Sequence, residues 1–330
     1  MTLSVVIAGG GTGGHVFPGL ALAEALRRHD PTAQVCFVGT SRGLEATAVP
    51  AAGEELETVD VLPWARTIGA RRFLAPASAL RAAMQARRIL KRRGASVVAA
   101  MGGYASLPAA LAARAGGVPL VVHEQNAIPG RANRVSARFA VRVAVTFAES
   151  APALGGAERV RVVGNPVRAS ISRMDRDALR AEAKWVFGLD AGRRTLLVTG
   201  GSRGARRLNE VAAGLAARWS SREDVQILLI IGRGAEQAPA ASDGLHVVEF
   251  VERMELAYAA ADVALARAGA GLAELACASL PSILVPYPYA RDDHQRANAG
   301  AAQRAGAALV VPDHDATPER IGAVAESLLE

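Results

Sequence analysis

Ser4-Val5-Val6-Ile7-Ala8-Gly9-Gly10-Gly11-Thr12-Gly13-Gly14-His15 is the stretch whose reading decides the fold. The apolar run from Leu3 to Ala8 predicts a parallel strand buried on both faces. It ends in a glycine-rich turn, and Pro18 then opens an apolar helical pattern through Leu26. Glycines let the backbone turn tightly and bring N–H groups close to an anion at a helix N-terminus. The letters Gly9-x-Gly11-x-x-Gly14 also fit a dinucleotide-binding fingerprint. That reading requires an acid after the second strand, and there Val35-Cys36-Phe37-Val38 runs into Gly39-Thr40-Ser41-Arg42 instead. His15, a titratable ring where the turn becomes a helix, lies outside that fingerprint. An ordinary capping histidine is the competing reading.

Outward from this stretch, composition narrows the class. A chain of 330 residues is long enough for two domains with real cores. A hydrophobic content of 51% with 33 glycines and few aromatics suits an alanine-rich α/β protein and excludes a disordered one. Cys36 and Cys277 both sit in apolar runs, which points to a reducing compartment without a disulfide framework. The amino terminus reads as a strand and not as a signal peptide. No uninterrupted apolar run reaches the ~20 residues of a membrane-spanning helix. The expectation is a cytosolic protein, or one that touches a membrane from the cytosolic side.

The net charge of +7 is unevenly placed. Between Val61 and His123 there is no Asp or Glu, while ten Arg or Lys occur there, from Arg66 to Arg114. Such a stretch recruits a polyanion, either nucleic acid or an anionic lipid leaflet. Within it, Pro63-Trp64-Ala65-Arg66-Thr67-Ile68-Gly69-Ala70-Arg71-Arg72-Phe73-Leu74 reads as a loop of apolar residues among arginines. The helix that follows places Phe73, Ala77, Leu80 and Met84 on one stripe, flanked by Arg81, Arg88 and Arg92. Apolar residues beside a cationic face describe an interfacial membrane contact. The competing reading makes the stripe core and the arginines a solvated face.

The first half alternates strands near 3–8, 34–39, 56–60, 96–101, 118–122, 141–145 and 159–163 with helices near 18–29, 43–51, 73–93, 105–115 and 130–138. This βαβ rhythm implies a parallel sheet with helices on both faces. Met101-Gly102-Gly103-Tyr104 ends the fourth strand and His123-Glu124-Gln125-Asn126 the fifth. Polar residues just past the carboxyl ends of parallel strands are where open α/β sheets place ligands. Gly164-Asn165-Pro166-Val167-Arg168 reads as an extended junction.

The rhythm then restarts. A strand from Arg194 to Thr199 leads into Gly200-Gly201-Ser202-Arg203-Gly204-Ala205 and a helix to about Ala217. This repeats the first glycine turn, and its N–H groups with the Ser202 hydroxyl can hold a phosphate. Further strands are predicted near 225–231, 244–249, 262–265, 282–285 and 307–311. In Ala266-Arg267-Ala268-Gly269-Ala270-Gly271-Leu272-Ala273-Glu274-Leu275 the acid lies one turn into a helix, where it can accept from a ribose diol or simply answer the helix dipole. Pro286-Tyr287-Pro288-Tyr289 precedes Asp292-Asp293-His294-Gln295-Arg296-Ala297-Asn298, a polar cluster that contacts sugar hydroxyls or merely caps a helix.

Taken together, these motifs resemble the MurG family of UDP-N-acetylglucosamine (UDP-GlcNAc) transferases, which add GlcNAc to undecaprenyl-pyrophosphoryl-N-acetylmuramoyl-pentapeptide (lipid I). The resemblance runs from Val5 to about Pro312. It rests on Gly10-Gly11-Thr12-Gly13-Gly14-His15-Val16-Phe17-Pro18, Met101-Gly102-Gly103-Tyr104, His123-Glu124-Gln125-Asn126, Val163-Gly164-Asn165-Pro166-Val167-Arg168 and Gly200-Gly201-Ser202-x-Gly204-Ala205, in order and spacing. It implies a GT-B fold, two Rossmann-like parallel-sheet lobes facing a cleft. Residues 1–165 would form the acceptor and membrane-side lobe, and 166–330 the UDP-sugar lobe. By the resemblance, Thr12, Gly13 and Gly14 with Asn126 lie at the donor sugar and the acceptor side, and Tyr104 is a further substrate contact. Arg168, Ser202, Val251, Ala270, Glu274 and Gln295 fall on donor-binding positions, with Ser202 at the pyrophosphate, Glu274 at the ribose and the Val251 backbone at the uracil. Two departures stand out. The family pattern carries one more residue between Arg267 and Glu274, and it usually continues past the position of Glu330 with a helix returning to the first lobe, a brace expected to be missing or shortened here.

The reaction so implied is attack of the muramoyl C4 hydroxyl on the anomeric carbon of UDP-GlcNAc, inverting α to β and releasing UDP, a step of peptidoglycan synthesis. Glycine-turn amides, Ser202 and helix dipoles can stabilise the leaving phosphate. No carboxylate pair has convincing metal-ligand spacing, so transfer without metal or cofactor is expected. His15 is the candidate general base and Glu124 the alternative. Expected partners are UDP-GlcNAc, lipid I and the anionic cytoplasmic leaflet of the bacterial plasma membrane, with no nucleic acid. Rival readings are a different GT-B UDP-sugar enzyme, such as a 2-epimerase or an antibiotic glycosyltransferase, a dinucleotide oxidoreductase, and a membrane-associated UDP-sugar-binding module without activity.

Overall fold

A computed structural model of the chain describes residues 2–61, 75–156, 158–201, 204–232 and 238–330. The chain divides into two compact units, Met1–Arg168 and Ala169–Glu330. The division falls at the end of the Gly164–Arg168 stretch, and the Arg168 guanidinium lies 5.5 Å from the centre of the Phe17 ring of the same unit.

In the first unit the elements run β1 (Ser4–Gly9), α1 (Gly13–His29), β2 (Gln34–Gly39), α2 (Glu45–Ala51), β3 (Glu55–Thr58), α3 (Ala75–Arg92), β4 (Val97–Gly102), α4 (Ser106–Gly116), β5 (Leu120–Glu124), α5 (Arg131–Ser136), β6 (Arg142–Val145) and β7 (Val160–Val162). The strands form one parallel sheet in the order β3-β2-β1-β4-β5-β6-β7. Alternation along β1 explains why it is central. Val5 and Ile7 pack with Val16 and Ala23 of α1 on one face. Val6 and Ala8 pack with Ala82, Ala86, Ile89 and Leu90 of α3 on the other. A strand apolar at every position is buried on both faces, and each large side chain so buried contributes ~1.5–3 kcal/mol.

Helix α1 begins at Gly13, five residues before the proline that was expected to open it. Thr12 is extended at φ −135°, and its carbonyl accepts from the N–H groups of both His15 and Val16. Pro18 therefore lies inside the helix, where it has no N–H to give to the carbonyl of Gly14.

The α3 stripe is not core. Leu80 is 63% exposed and Met84 51%, and Ala77, Arg81, Arg87, Arg88 and Lys91 are exposed with them. The arginines at the end of the helix are not simply a solvated face. Arg92 donates to Glu57 at 2.6 Å, and Arg93 reaches Glu57 at 2.8 Å and Glu55 at 2.5 Å. The guanidinium groups of Arg92 and Arg93 hold the Glu57 carboxyl below its usual range. The stretch is acid-free in sequence, but β3 brings acids to its last turn. The loop with Trp64, Ile68, Phe73 and Leu74 lies outside the described residues.

The second unit repeats the plan. Short helix α6 (Ala169–Ser172) and α7 (Arg176–Val186) lead to β8 (Arg194–Thr199), α8 (Arg206–Arg218), β9 (Val225–Ile230), β10 (Leu245–Val248), α9 (Met254–Ala260), β11 (Val263–Ala266), α10 (Gly271–Cys277), β12 (Ser282–Leu284), α11 (His294–Arg304), β13 (Ala308–Val310) and α12 (Pro318–Leu329). The parallel sheet has the order β10-β9-β8-β11-β12-β13. Leu196 and Val198 of β8 join one core with Leu208 and Leu215 of α8 and with Ile321, Ala325 and Leu329 of α12. In both sheets the strand order reverses beside the first strand, between β1 and β4 and between β8 and β11. Loops diverge there past the strand ends, which is where doubly wound sheets bind ligands.

Candidate functional site

In the first unit the turns after β1, β4 and β5 converge at the β1/β4 reversal. β1 and β4 slip register between Ala8 and Gly9, so that Gly9 pairs with Gly102. The two glycine turns then meet so closely that a Cβ on Gly103 would run into the Gly10 carbonyl oxygen, and Gly103 has φ +84°. The first turn of α1 carries His15 into this meeting point. Its Nδ1 lies 3.1 Å from the Gly10 carbonyl oxygen and 3.3 Å from Oγ1 of Thr12. A carbonyl can only accept, so the neutral ring carries its proton on Nδ1 and its lone pair on Nε2. The Nε2 edge faces Gly102. A Cβ added there would stand 3.0 Å from Nε2, and 3.4 Å from Nδ2 of Asn133.

Glu124 ends β5 and is buried, at 1% exposure. Its Oε1 accepts from the backbone N–H of Asn126 at 2.9 Å and from Asn126 Nδ2 at 3.1 Å. Its Oε2 accepts from the N–H of Gly130 at 3.0 Å and from Asn133 Nδ2 at 2.9 Å. Both oxygens are thus engaged in shaping the loop into α5, and taking up a proton there means surrendering one of those bonds. His123 is buried beside it. Its Nε2 donates to the carbonyl of Gly164 at 3.0 Å, and its Nδ1 accepts from Gln125 Nε2 at 3.1 Å. Burial pushes the His123 pKa below its ordinary value, against the opposing pull of the Gly164 carbonyl and Glu124. Of the expected first-unit residues, the structure brings Thr12, Gly13, Gly14, His15, Glu124 and Asn126 to the ends of β1 and β5. Tyr104 is half-buried in the turn after β4.

In the second unit, the turn from Arg267 to Gly271 is held from three sides. Arg267 pairs with Asp313 at 2.5 Å and donates to the Val285 carbonyl at 3.0 Å. Asn298 Nδ2 of α11 donates to the Ala268 carbonyl at 3.1 Å. Gln295, one turn earlier in α11, accepts on Oε1 from the N–H of Tyr287 at 2.9 Å. That bond fixes the amide so that Nε2 is turned toward Gly269, where a Cβ would lie 3.8 Å away. Asp292 and Asp293 reach Gln295 through successive left-handed conformations, each with φ +53°, which Asp tolerates better than bulkier residues.

Glu274 is the fourth residue of α10, one turn past Ala270, and its Oε2 accepts a 2.7 Å hydrogen bond from the hydroxyl of Tyr258 on α9. Val251 follows β10 in the loop leading to α9 and is buried. Ser202 lies outside the described residues. Nε of Arg168 is buried and has no hydrogen-bond partner among the described residues. In the same described set, no group of three or more His, Cys, Asp or Glu is placed to hold a metal ion.

Three residues of these clusters escaped the sequence reading. Glu45, which accepts from the Gly11 N–H at the turn after β1, and Asn133 are buried polar groups with partners 34 and 9 residues away in the chain. The third, Tyr258, was visible only as a lone aromatic in the alanine-rich stretch of α9.

Two doubly wound domains, each with glycine turns and polar side chains gathered past its strand ends, form the architecture of nucleotide-sugar glycosyltransferases. The glycosyltransferase family 28 N-terminal domain matches residues 5–145, and the family 28 C-terminal domain matches residues 195–330. A UDP-N-acetylglucosamine–N-acetylmuramyl-(pentapeptide) pyrophosphoryl-undecaprenol N-acetylglucosamine transferase of Clavibacter sepedonicus is 47% identical over 95% of this chain and 84% of its own. The crystal structure of Acinetobacter baumannii MurG superposes with a TM-score of 0.72 at 30% identity, over 99% of this chain and 91% of that one. An S. aureus MnaA–UDP structure reaches a TM-score of 0.71 over 100% of this chain and 88% of that one, but at 13% identity that likeness concerns the fold alone. The chain belongs to glycosyltransferase family 28, in the branch of these N-acetylglucosamine transferases.

Proposed function

We propose that the protein transfers GlcNAc from UDP-GlcNAc to the C4 hydroxyl of the N-acetylmuramoyl residue of lipid I, forming lipid II for peptidoglycan. The acceptor oxygen forms a bond to the anomeric carbon as the bond from that carbon to the β-phosphate oxygen breaks, and the configuration inverts. The hydroxyl proton passes to Nε2 of His15, and the electron pair leaves with UDP. The observation that carries this reading is the His15 ring itself, held by the Gly10 carbonyl in the tautomer a general base needs. Glu124 serves instead as the scaffold of the loop that carries Asn126.

The donor side is supported by the second unit. Glu274, with its carboxylate oriented by Tyr258, is the ribose partner. Gln295 and the turn ending at Ala270 lie close in the same unit, and the Val251 backbone is the contact proposed for uracil. The positive amino-terminal end of α8, a 13-residue helix, is the partner proposed for the diphosphate. Arg168, whose Nε is buried without a hydrogen-bond partner among the described residues, is a further candidate cation for a phosphate.

The membrane assignment rests on α3. Leu80 and Met84 stand exposed among Arg81, Arg87, Arg88 and Lys91, the composition of a helix face that settles on an anionic leaflet. No described helix is long and apolar enough to cross a membrane. A lipid-linked acceptor supports a peripheral contact at the cytoplasmic face of the plasma membrane.

The test is UDP release on mixing the protein with UDP-GlcNAc and a water-soluble lipid I analogue. Release that depends on both substrates is expected. Consumption of UDP-GlcNAc without the analogue would instead mark an enzyme of the same fold acting on the donor alone.

A further inference from the structure

Glu45 is a carboxylate with 1% exposure that the transfer reaction as described leaves unused. It follows β2 by six residues, close to where a dinucleotide-binding fold keeps its ribose-reading acid, but it is turned inward. Its Oε2 accepts from the N–H of Gly11 at 2.7 Å. Its Oε1 accepts from the N–H of Thr40 at 3.0 Å and from the Thr40 hydroxyl at 2.7 Å. The chain's own carboxylate thus takes the Gly11 N–H that such a turn would otherwise offer to a phosphate. The fit is tight, since a Cβ on Gly10 would overlap the Glu45 carboxylate. Gly10 is also the residue whose carbonyl fixes the His15 ring. Glu45 and His15 border the same closely packed spot as Gly9, Val16 and Phe37.

We propose that Glu45 is a positioning residue for glycosyl transfer: it clamps the Gly10–Gly11 turn on one side, and the turn holds the His15 ring on the other. A carboxylate is suited to this because it only accepts, and the Gly11 N–H, the Thr40 N–H and the Thr40 hydroxyl all donate to it. Neither Gly10 nor Gly11 has a side chain with which to anchor itself, and Gly11 sits at φ +90°. Without the clamp, the Gly10 carbonyl is free to rotate and the imidazole loses the acceptor that sets its proton and its direction. The inference rests on His15 being the base.

Glu45→Gln keeps the volume but turns one acceptor into a donor facing a donor. The expected result is a kcat ~10–100-fold lower, the scale of a small misplacement of a reacting group. UDP affinity by calorimetry should stay unchanged. The decisive measurement is the double variant, in which Glu45→Gln should cost almost nothing further once His15→Ala is present. A further loss on that background as large as in the wild type overturns the proposal, as does weakened UDP binding in the single variant. If Glu45→Gln does not fold, Thr40→Val removes one donor to the carboxylate and carries the same comparison with a smaller loss. Near-normal turnover of His15→Ala alone would instead remove His15 from the base role, a separate failure.

Discussion

The phenolic hydroxyl of Tyr258 donates a 2.7 Å hydrogen bond to Oε2 of Glu274, tying α9 to the helix that carries the proposed ribose carboxylate. Tyr258 is 2% exposed, so its ring is fixed by packing and hands that rigidity to the acid. Glu274→Ala should weaken UDP binding by ~1.5–3 kcal/mol, at least tenfold, through loss of a charged hydrogen-bond partner. Tyr258→Phe, which keeps the ring, should cost only ~0.5–1.5 kcal/mol. Calorimetry with UDP checks both. Wild-type affinity in Glu274→Ala would sink the ribose assignment, whereas wild-type affinity in Tyr258→Phe alone would remove only the positioning role.

His15→Ala should lower kcat ~10²–10⁴-fold, the span of general-base catalysis, and leave UDP affinity intact. Steady-state rates beside UDP calorimetry separate the two effects. A parallel loss of UDP binding would show that His15 contacts the donor.

Glu124 gives the complementary experiment. Glu124→Gln sets an NH₂ group against the donors of Gly130 and Asn133, or of Asn126, and should cost ~1–3 kcal/mol of stability. The measured sign is a lower melting temperature, with activity recovered at low temperature where the variant is folded. Full stability with abolished turnover would restore Glu124 as the base.

Much of this organisation is visible in the residues themselves, and the exceptions share a physical cause. The apolar run before each glycine turn marks β1 and β8 because a strand covered on both faces has no polar alternation to blur. The start of α1 was misplaced because Pro18 resembles a helix opener, while Thr12 starts the helix with its carbonyl and makes no side-chain cap. The α3 stripe is ambiguous in sequence, since apolar spacing says which residues share a face and not what covers it. Glu45 was passed over because its role depends on a turn 34 residues earlier. The acid sought after β2 was sought for a ligand, and the fold spends it on its own backbone.

The buried His123 predicts an acid weakness. Its folded pKa lies below the ordinary 6.5, first because burial disfavours the charged ring. As pH falls through 6.5 the unfolded chain takes up a proton that the native ring resists. Stability is therefore lost between 6.5 and the depressed native value, and none is lost above that window. Thermal melts from pH 7.5 to 5.5 should show the decline, and His123→Gln should flatten it in part. His246, lowered by burial and then by Arg193, contributes in the same direction. An unchanged slope in the variant would assign the effect elsewhere.

The outer face of α3 makes the last prediction. Leu80 and Met84 are exposed, and Arg88 and Lys91 lie on the same face with no acidic partner among the described residues. Arg92 is a poor probe because it belongs to Glu57, and removing it would loosen β3 as well. Each cation held near an anionic surface contributes ~1 kcal/mol, so Arg88→Gln with Lys91→Gln should weaken partitioning onto phosphatidylglycerol vesicles roughly 30-fold. Leu80→Ser with Met84→Ser should weaken it further by removing the apolar insertion. Binding by the wild type should also fall between low salt and ~0.1 M, where the surface field decays within about 10 Å. Turnover of a water-soluble acceptor should stay normal in both double variants, because the face lies on a helix that carries none of the proposed catalytic or donor-binding residues. Flotation assays with wild-type protein at low salt decide the matter. A protein that ignores phosphatidylglycerol vesicles there uses this face for something other than a membrane.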